Sequence, residues 1–299
     1  MSGRAFPAER VLPAPAKINL ALHVTGQRAD GYHLLETLVV FASFGDRISA
    51  APAQADGFAV SGPFAAGVPV DGSNLVIRAR DALRAAFPDA TRQPVHIELG
   101  KNLPPSSGIG GGSSDAAATL KALCGVWAID PSEAELMRLA APLGADLPMC
   151  IAARPLIARG IGDDIEPVEL LPPLPLLVAN PGEPVSTPDV FRRLARRDNG
   201  PLPPLPRQPD AGTLIDWLAE TRNDLEAPAI EAAPAIAEAL ADIRAQGAAL
   251  ARMSGSGATC FGLFMDEADA TEAALRIRRA RPGWWVAATH SMEASHART

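Results

Sequence analysis

The sequence predicts an α+β fold in two domains, and three observations carry that expectation. The chain has 299 residues, more than one ordinary compact core serves and suited to about two. Segments with strand alternation and segments with helical spacing both occur, yet not in the strict β-α-β order of a doubly wound sheet. The pattern of elements also changes beyond about residue 155, which sets the expected domains at 1–155 and 156–299.

From the N-terminus, residues 11–50 read as strands joined by turns. Ile18, Leu20 and Leu22 alternate with polar or small positions, and Asp30-Gly31 supplies turn chemistry before a second apolar run from Leu34 to Phe44. Asn74 is placed to cap a helix whose apolar positions Leu75, Ala79, Ala82, Leu83 and Ala86 recur at helical spacing. Val95 to Leu99 alternates as a strand, a glycine-rich loop follows, and a helix runs from about Ser114 to Leu123. Asp130-Pro131-Ser132-Glu133 offers a cap, a first-turn proline and a reciprocal glutamate for the next helix. In the second half, Leu176 to Ala179 is a short strand, and residues 198–210 are proline-rich enough to predict an extended, mobile loop. Pro228 to Gln246 reads as one alanine-rich helix stopped by Gly247. Strands at Ala249–Met253, Thr259–Phe264 and Trp285–Thr289 surround a helix near 267–279, and the last dozen residues read as frayed.

Apolar residues make up 47% and charged residues 20%, an ordinary globular composition. No stretch approaches the roughly 20 consecutive apolar residues that span a bilayer. Met1 to Pro15 lacks the basic region and apolar core of a secretory leader, so a cytoplasmic protein without a membrane partner is expected. Cys124, Cys150 and Cys260 are far apart and flanked by apolar residues, which predicts buried free thiols. The formal charge of −7 argues against a nucleic-acid surface but leaves a phosphorylated ligand open. Arg192, Arg193, Arg196 and Arg197 fall on one expected helix and read as a solvated face. Only Lys17, Lys101 and Lys121 are lysines among many arginines, and two of them lie in the motifs that follow.

The strongest local signal is Pro104-Pro105-Ser106-Ser107-Gly108-Ile109-Gly110-Gly111-Gly112-Ser113-Ser114-Asp115-Ala116. Three consecutive glycines reach positive φ without steric cost and turn backbone N–H groups inward. The helix after them, with Ser and Asp as expected caps, points its positive dipole end into the same concavity. No Gly-Lys-Ser/Thr ends the run, so it is not a Walker A loop. The plain alternative is a flexible linker, but linkers seldom run straight into a capped amphipathic helix.

Three further clusters are weaker singly. In Pro15-Ala16-Lys17-Ile18-Asn19-Leu20, strand periodicity sends Lys17 and Asn19 to one face, away from the expected core. Gly144-Ala145-Asp146-Leu147-Pro148 leaves a carboxylate on a loop among apolar neighbours, as a cap or a functional group. Met253-Ser254-Gly255-Ser256-Gly257-Ala258 lies between two strands and would suit a tight hairpin turn. Taken in order, P-A-K-I-N-L, the G-I-G-G-G-S-S-D-A-A loop, G-A-D-L-P and M-S-G-S-G-A resemble the GHMP kinases in all their characteristic motifs. R-A-D-G-Y-H and N-P-G-E-P-V-S-T-P-D-V-F narrow the resemblance to the members acting on a cytidine-diphosphate-linked methylerythritol. It extends from about Pro15 to Phe264.

That resemblance implies an N-terminal ribosomal-protein-S5-like ATP-binding domain and a C-terminal ferredoxin-like α/β-sandwich domain that helps bind substrate. It implies a phosphotransferase using ATP and Mg2+ on the 2-hydroxyl of the alcohol, working as a monomer or weak homodimer. Gly108, Gly110, Gly111, Gly112, Ser113 and Ser114 match the triphosphate-binding positions, with Pro105 beside them. The adenine is expected against Asn74 and Leu75 and near Lys101, and Asp115 is the residue nearest to a magnesium support. Asp146 matches the catalytic aspartate and Lys17 its paired lysine. Tyr32 and Phe191 match rings that hold the cytosine, His33 its hydrogen-bonding histidine, with Thr187 close by and Asn19 toward the erythritol. Where other members often have an aromatic a few residues later, this chain reads Leu38-Val39-Val40. A sibling kinase for homoserine, mevalonate or a sugar would share the glycine loop, and a non-catalytic nucleotide-binding protein would be free to lose Lys17 or Asp146.

Overall fold

A computed structural model of the chain describes residues 9–293, so the readings made for residues 1–8 and 294–299 lie outside the described residues. The chain opens with two long strands, β1 (Arg10–Gln27) and β2 (His33–Pro52), then β3 (Gly57–Ser61), α1 (Leu75–Ala86) and β4 (Val95–Gly100). Next come α2 (Gly111–Trp127), α3 (Glu133–Ala140), α4 (Leu147–Ala152), β5 (Leu156–Gly160), β6 (Asp164–Pro167) and β7 (Pro175–Asn180). The order ends with α5 (Thr187–Arg192), α6 (Ala211–Ala219), α7 (Glu226–Ala232), α8 (Ala235–Ala245), β8 (Leu250–Met253), β9 (Cys260–Leu263), α9 (Glu267–Ala280) and β10 (Trp285–His290). The mixture is α+β, as expected. Among the described residues no helix is long and apolar enough to cross a membrane.

Two compact units form, and neither is a single run of sequence. Among the described residues, the first holds 9–16 with Phe44–Pro105 and Gly110–Ala152; the second holds Lys17–Ser43, Ser106–Ile109 and 153–293. Beyond the change of pattern near residue 155, then, two earlier stretches group with the later half.

In the first unit, Arg47–Pro52 of β2 pairs antiparallel with β4, and β3 runs parallel to β4. Helix α1 packs on α2, while α2 and α3 pack against α4. Asn74 caps α1 as expected, its Oδ1 accepting Val76 N–H at 2.9 Å, and Val76, Ile77, Ala79 and Leu83 form its buried face. Helix α3 starts later than its sequence signal. Ser132 is the cap, and its reciprocal partner is Glu135, which accepts Ser132 N–H at 2.8 Å. Glu133 sits at the first helical position, too early to reach back; a capping box needs the third.

In the second unit, Leu35–Val39 of β2 pairs with β5, and β5 pairs with β6. A separate antiparallel sheet has the order β10-β7-β9-β8. Helices α8 and α9 pack on it, burying Leu177, Phe264, Ile236, Ile243 and Ile277. The expected single helix over 228–246 is two helices, because Pro234 has no N–H to continue the ladder and α8 begins just after it. Helix α5 stops at Arg192, so the four arginines do not share a helix face; Arg192 and Arg193 pair with Asp189, and Arg196 with Asp198. Residues 198–210 are irregular as expected, yet tied down. Asn199 N–H donates to Val24 O (3.0 Å), Leu202 N–H to Glu36 (2.8 Å) and Trp217 Nε1–H to Pro204 O (3.0 Å). The chain end is also ordered further than predicted: β10 includes Ala288–His290, and Ser291 bridges to Ala42. All three cysteines are free thiols, Cys150 and Cys260 buried and Cys124 half-buried. Burial pushes the Cys124 thiol up to about 11, which leaves it a poor nucleophile.

Strand β1 is held in the second unit by a buried guanidinium. Arg252 donates to Leu20 O (2.7 Å), Thr221 Oγ1 (3.0 Å), Leu218 O (2.9 Å) and Thr221 O (2.8 Å). Removing the fork strands several buried acceptors, and a lysine cannot reproduce its planar geometry. Arg252→Met is expected to lower stability by about 3 kcal/mol in urea unfolding, with Arg252→Lys recovering less than half of the loss.

Candidate active site

In the second unit, three of the sequence clusters come together. Lys17 N–H donates to Ile109 O at 2.9 Å, joining β1 to the first part of the glycine loop. Asn19 N–H donates to Ser254 Oγ at 3.1 Å, and the same hydroxyl donates to Gly108 O at 3.3 Å. Thr259 N–H donates to Ser107 O at 3.2 Å, and Asn223 Nδ2 donates to both Met253 O and Gly255 O at 2.8 Å. The M-S-G-S-G segment is thus more than a hairpin turn; it clasps the loop and the strand together. Gly108 shows why the loop tolerates no side chain there: φ is +77°, and a Cβ would stand 2.5 Å from Gly257 O.

Lys17 and Asn19 were expected together on one face, away from the core. Instead they are 4% and 2% exposed, with Ala14 to Val24 buried throughout. An ammonium and an amide are costly to bury without polar partners, so the strand that carries them needs a polar setting.

The cytosine-binding expectation meets a different ring pair. His33 stacks on Phe191, centroids 4.7 Å apart and planes 27° from parallel, while Tyr32 is 61% exposed. Burial, followed by the nearby Arg197, lowers the His33 pKa and so favours the neutral ring. Its Nε2 is buried without a hydrogen-bond partner among the described residues. Thr187 opens α5, and its hydroxyl bonds Ser256 Oγ at 2.7 Å, which ties this corner to the M-S-G-S-G segment.

The first unit carries the other half of the glycine loop. Helix α2 begins at Gly111, three residues earlier than predicted, and its N-cap is Gly110 at φ +67° with no side-chain cap. Ser114 and Asp115 are therefore not caps. They lie inside the helix, where Ser114 Oγ donates to Pro15 O at 2.7 Å. The first-turn N–H groups of Gly111, Gly112 and Ser113 are left without a side-chain acceptor, at the positive end of a 17-residue helix. Ser106 (φ +53°) also takes the left-handed conformation, with Pro105 exposed just before it. Leu75 lies close to Gly112, whose Cβ would stand 3.6 Å from Leu75 Cδ1. Asn74 spends its amide on the α1 cap and on Pro69 O (2.7 Å).

Lys101 is not an open cation beside a base. Its ammonium is clasped between Asp46 Oδ2 (2.5 Å) and Asp115 Oδ2 (2.8 Å), beneath the start of α2. Asp46 also accepts Asn102 and Leu103 N–H, whereas Asp115 Oδ1 is buried with no partner. Burial works against the Lys101 ammonium, but Asp115 and Asp46 outweigh it and raise its pKa. Two carboxylates share one cation, and Asp115 has fewer donors. Burial therefore drives its carboxyl from 3.8 up to about 8, with Asp46 adding to the rise and Lys101 opposing it. Among the described residues no group of three or more His, Cys, Asp or Glu is placed to hold a metal, and Asp115 Oδ2 is committed to Lys101.

Asp146 immediately precedes α4. Its carbonyl accepts Cys150 N–H at 3.1 Å, and it is half-exposed while Leu147 to Ala152 are all buried. Sequence reasoning missed Ser254 as a clasp, Asn223 and Asp46. Ser254 had its signal in the glycine cluster; Asp46, a lone acid after a glycine, had none.

The comparisons with known proteins agree with this geometry. The model of the GHMP kinases N terminal domain matches residues 74–154, and that of the GHMP kinases C terminal matches 205–282. A 4-diphosphocytidyl-2-C-methyl-D-erythritol kinase from Mesorhizobium japonicum is 56% identical over 283 residues, 95% of this chain and 96% of the relative. A crystal structure of 4-(cytidine 5'-diphospho)-2C-methyl-D-erythritol kinase matches with TM-score 0.76 and 36% identity, covering 95% of this chain and 100% of that one. The homoserine kinase from Cytophaga hutchinsonii matches with TM-score 0.72 at 16% identity, over 98% of each chain, which speaks for the fold alone.

The raised Asp115 value has a consequence for stability. Between 3.8 and about 8 the folded carboxyl holds a proton that the unfolded chain releases, so this group's contribution is lost as pH rises through that window. Unfolding free energy is expected to decline more steeply from pH 5.5 to 8.5 in the wild-type chain than in Asp115→Asn; equal slopes would show that the carboxyl is ionised throughout. With both GHMP kinase models matched and with relatives aligned over nearly its whole length, the chain belongs to the GHMP kinases, in the family of the 4-diphosphocytidyl-2-C-methyl-D-erythritol kinases.

Proposed function

We propose that the chain transfers the γ-phosphoryl group of ATP to the 2-hydroxyl of 4-diphosphocytidyl-2-C-methyl-D-erythritol, giving the 2-phosphate and ADP. The reaction belongs to the non-mevalonate route to isoprenoid precursors. One observation supports it above others: Lys17 and Asn19 are buried on a strand whose backbone is bonded to the glycine loop at Ile109 and to Ser254. A phosphoryl-transfer site needs alignment and charge stabilisation more than covalent chemistry, and a rigid strand carrying an ammonium supplies both.

In this reading the N–H groups of Gly108 and of Gly110 to Ser113 hold the triphosphate, with Ser114 fixing the loop through Pro15. Leu75 and Asn74 line the adenine, Pro105 borders the loop, and Lys101 acts from below by holding Asp115 and Asp46. Asp146 takes the proton of the acceptor hydroxyl and Lys17 balances the developing charge. Tyr32 and the His33–Phe191 stack take the cytosine, His33 Nε2 offering a polar contact, with Thr187 at its edge. Mg2+ arrives on the nucleotide, as it usually does where phosphates supply most of its ligands. The enzyme works in the cytoplasm as a monomer or weak homodimer, in keeping with its three free thiols. A sibling kinase acting on homoserine shares the fold, but the His33–Phe191 stack suits a planar base that homoserine lacks.

The test is ADP release with the cytidylyl alcohol against homoserine, mevalonate and a sugar. Turnover should be at least about a hundredfold faster with the cytidylyl alcohol, and Asp146→Asn should bind ATP normally yet lose about a hundredfold or more in kcat. Equal rates on all four alcohols, or a near-normal Asp146→Asn, would remove the assignment.

A further inference from the structure

Asn19 has one amide oxygen that is buried and unpartnered, and the structure fixes why it is the oxygen. Its Nδ2 lies 2.8 Å from Thr37 Oγ1, a residue of β2 that is 1% exposed. Thr37 Oγ1 in turn donates its hydrogen to Ala21 O at 2.6 Å. A hydroxyl carries a single proton. With that proton given to Ala21, Thr37 can only accept from Asn19, so the side facing it must be the NH2 group. A flipped amide would set two acceptor oxygens against each other. The Asn19 carbonyl oxygen is thereby turned away from Thr37 and bonds nothing among the described residues. It faces Gly255, whose Cβ, were there one, would stand 3.4 Å from that oxygen and 2.7 Å from Gly108 O. Glycine at 255 lets its backbone lie against this buried oxygen with no Cβ to crowd it or Gly108 O.

We infer that Thr37 is a positioning residue that locks the Asn19 amide with its unpartnered oxygen turned away from β2, so that Asn19 reads a hydrogen-bond donor, a hydroxyl of the acceptor alcohol, and rejects a phosphate or carbonyl oxygen at that point. This rests on the function proposed above and adds the polarity of the contact and the residue that sets it. The amide's orientation carries specificity, because a buried acceptor facing another acceptor costs more than a lost hydrogen bond. The backbone of Asn19 is fixed separately, through Ser254, so Thr37 acts on the side chain alone.

The experiment measures KM for the cytidylyl alcohol and for ATP in wild type, Thr37→Val, Thr37→Ser, Asn19→Ala and the Thr37→Val/Asn19→Ala double variant. Valine keeps the shape and removes the acceptor, freeing the amide to rotate. Thr37→Val is expected to raise KM for the alcohol about tenfold, roughly 1.4 kcal/mol, with KM for ATP within about twofold of wild type. Thr37→Ser keeps the hydroxyl and should recover most of that affinity, and adding Thr37→Val to Asn19→Ala should change nothing further. The unchanged ATP constant reports that each variant is folded. Equal changes in both constants, a serine variant as poor as the valine one, or additive effects in the double variant would overturn the inference. Failure of the wild-type chain to phosphorylate the alcohol would overturn the proposed function and this inference together; an active wild type with a neutral Thr37→Val overturns this inference alone.

Discussion

Burying Lys17 and Asn19 on strand β1 is the constraint from which the rest of the site follows. A lysine ammonium and a primary amide inside a protein are tolerated only where other polar groups surround them, and a strand so loaded must be held firmly. Hydrogen bonds converge on it for that purpose. Ile109 takes the Lys17 N–H, Ser254 the Asn19 N–H, and Arg252 grips the next carbonyl at Leu20. Ser254 then passes its own hydrogen to Gly108, so strand, glycine loop and C-terminal glycine cluster are positioned by one chain of bonds. Glycine at 108 and 255 is what lets these backbones approach so closely.

The second anchored element is the start of α2. A glycine N-cap leaves its first-turn N–H groups without a side-chain acceptor, where a serine or aspartate cap would have consumed one of them. Rigidity comes from below instead, where Lys101 bridges Asp46 and Asp115. A buried cation between two acids is weak as a source of stability but strong as a specifier of geometry, because among the described residues both are paired only with Lys101. The loop can therefore be built of small, uncharged residues and still present its donors in fixed directions.

Much of this was legible in the letters. The alternation of Ile18, Leu20 and Leu22 gave β1, Asn74 gave a cap, and the glycine run gave a loop leading straight into a helix. Local chemistry was misread where two local rules competed: Pro234 broke a helix whose alanines argued for continuity, and Ser132 displaced Asp130 as a cap. Proline content at 198–210 predicted irregular backbone correctly but not its hydrogen bonds to Val24 and Glu36, since those partners are more than a hundred residues away. The burial of Lys17 and Asn19 was hidden for a related reason. Strand periodicity separates two faces, but it does not say that both will be covered. Thr37 and Asp46 carried no signal at all, being ordinary polar residues whose meaning arises only from what they touch.

A crystal structure with a non-hydrolysable ATP analogue and the cytidylyl alcohol would decide the account. The expected complex has the triphosphate on the N–H groups of Gly110 to Ser113, the acceptor oxygen about 3–3.5 Å from the γ-phosphorus, and Lys17 and Asp146 against the reacting atoms. A triphosphate bound away from the start of α2, or an acceptor hydroxyl out of reach of both Lys17 and Asp146, would contradict it.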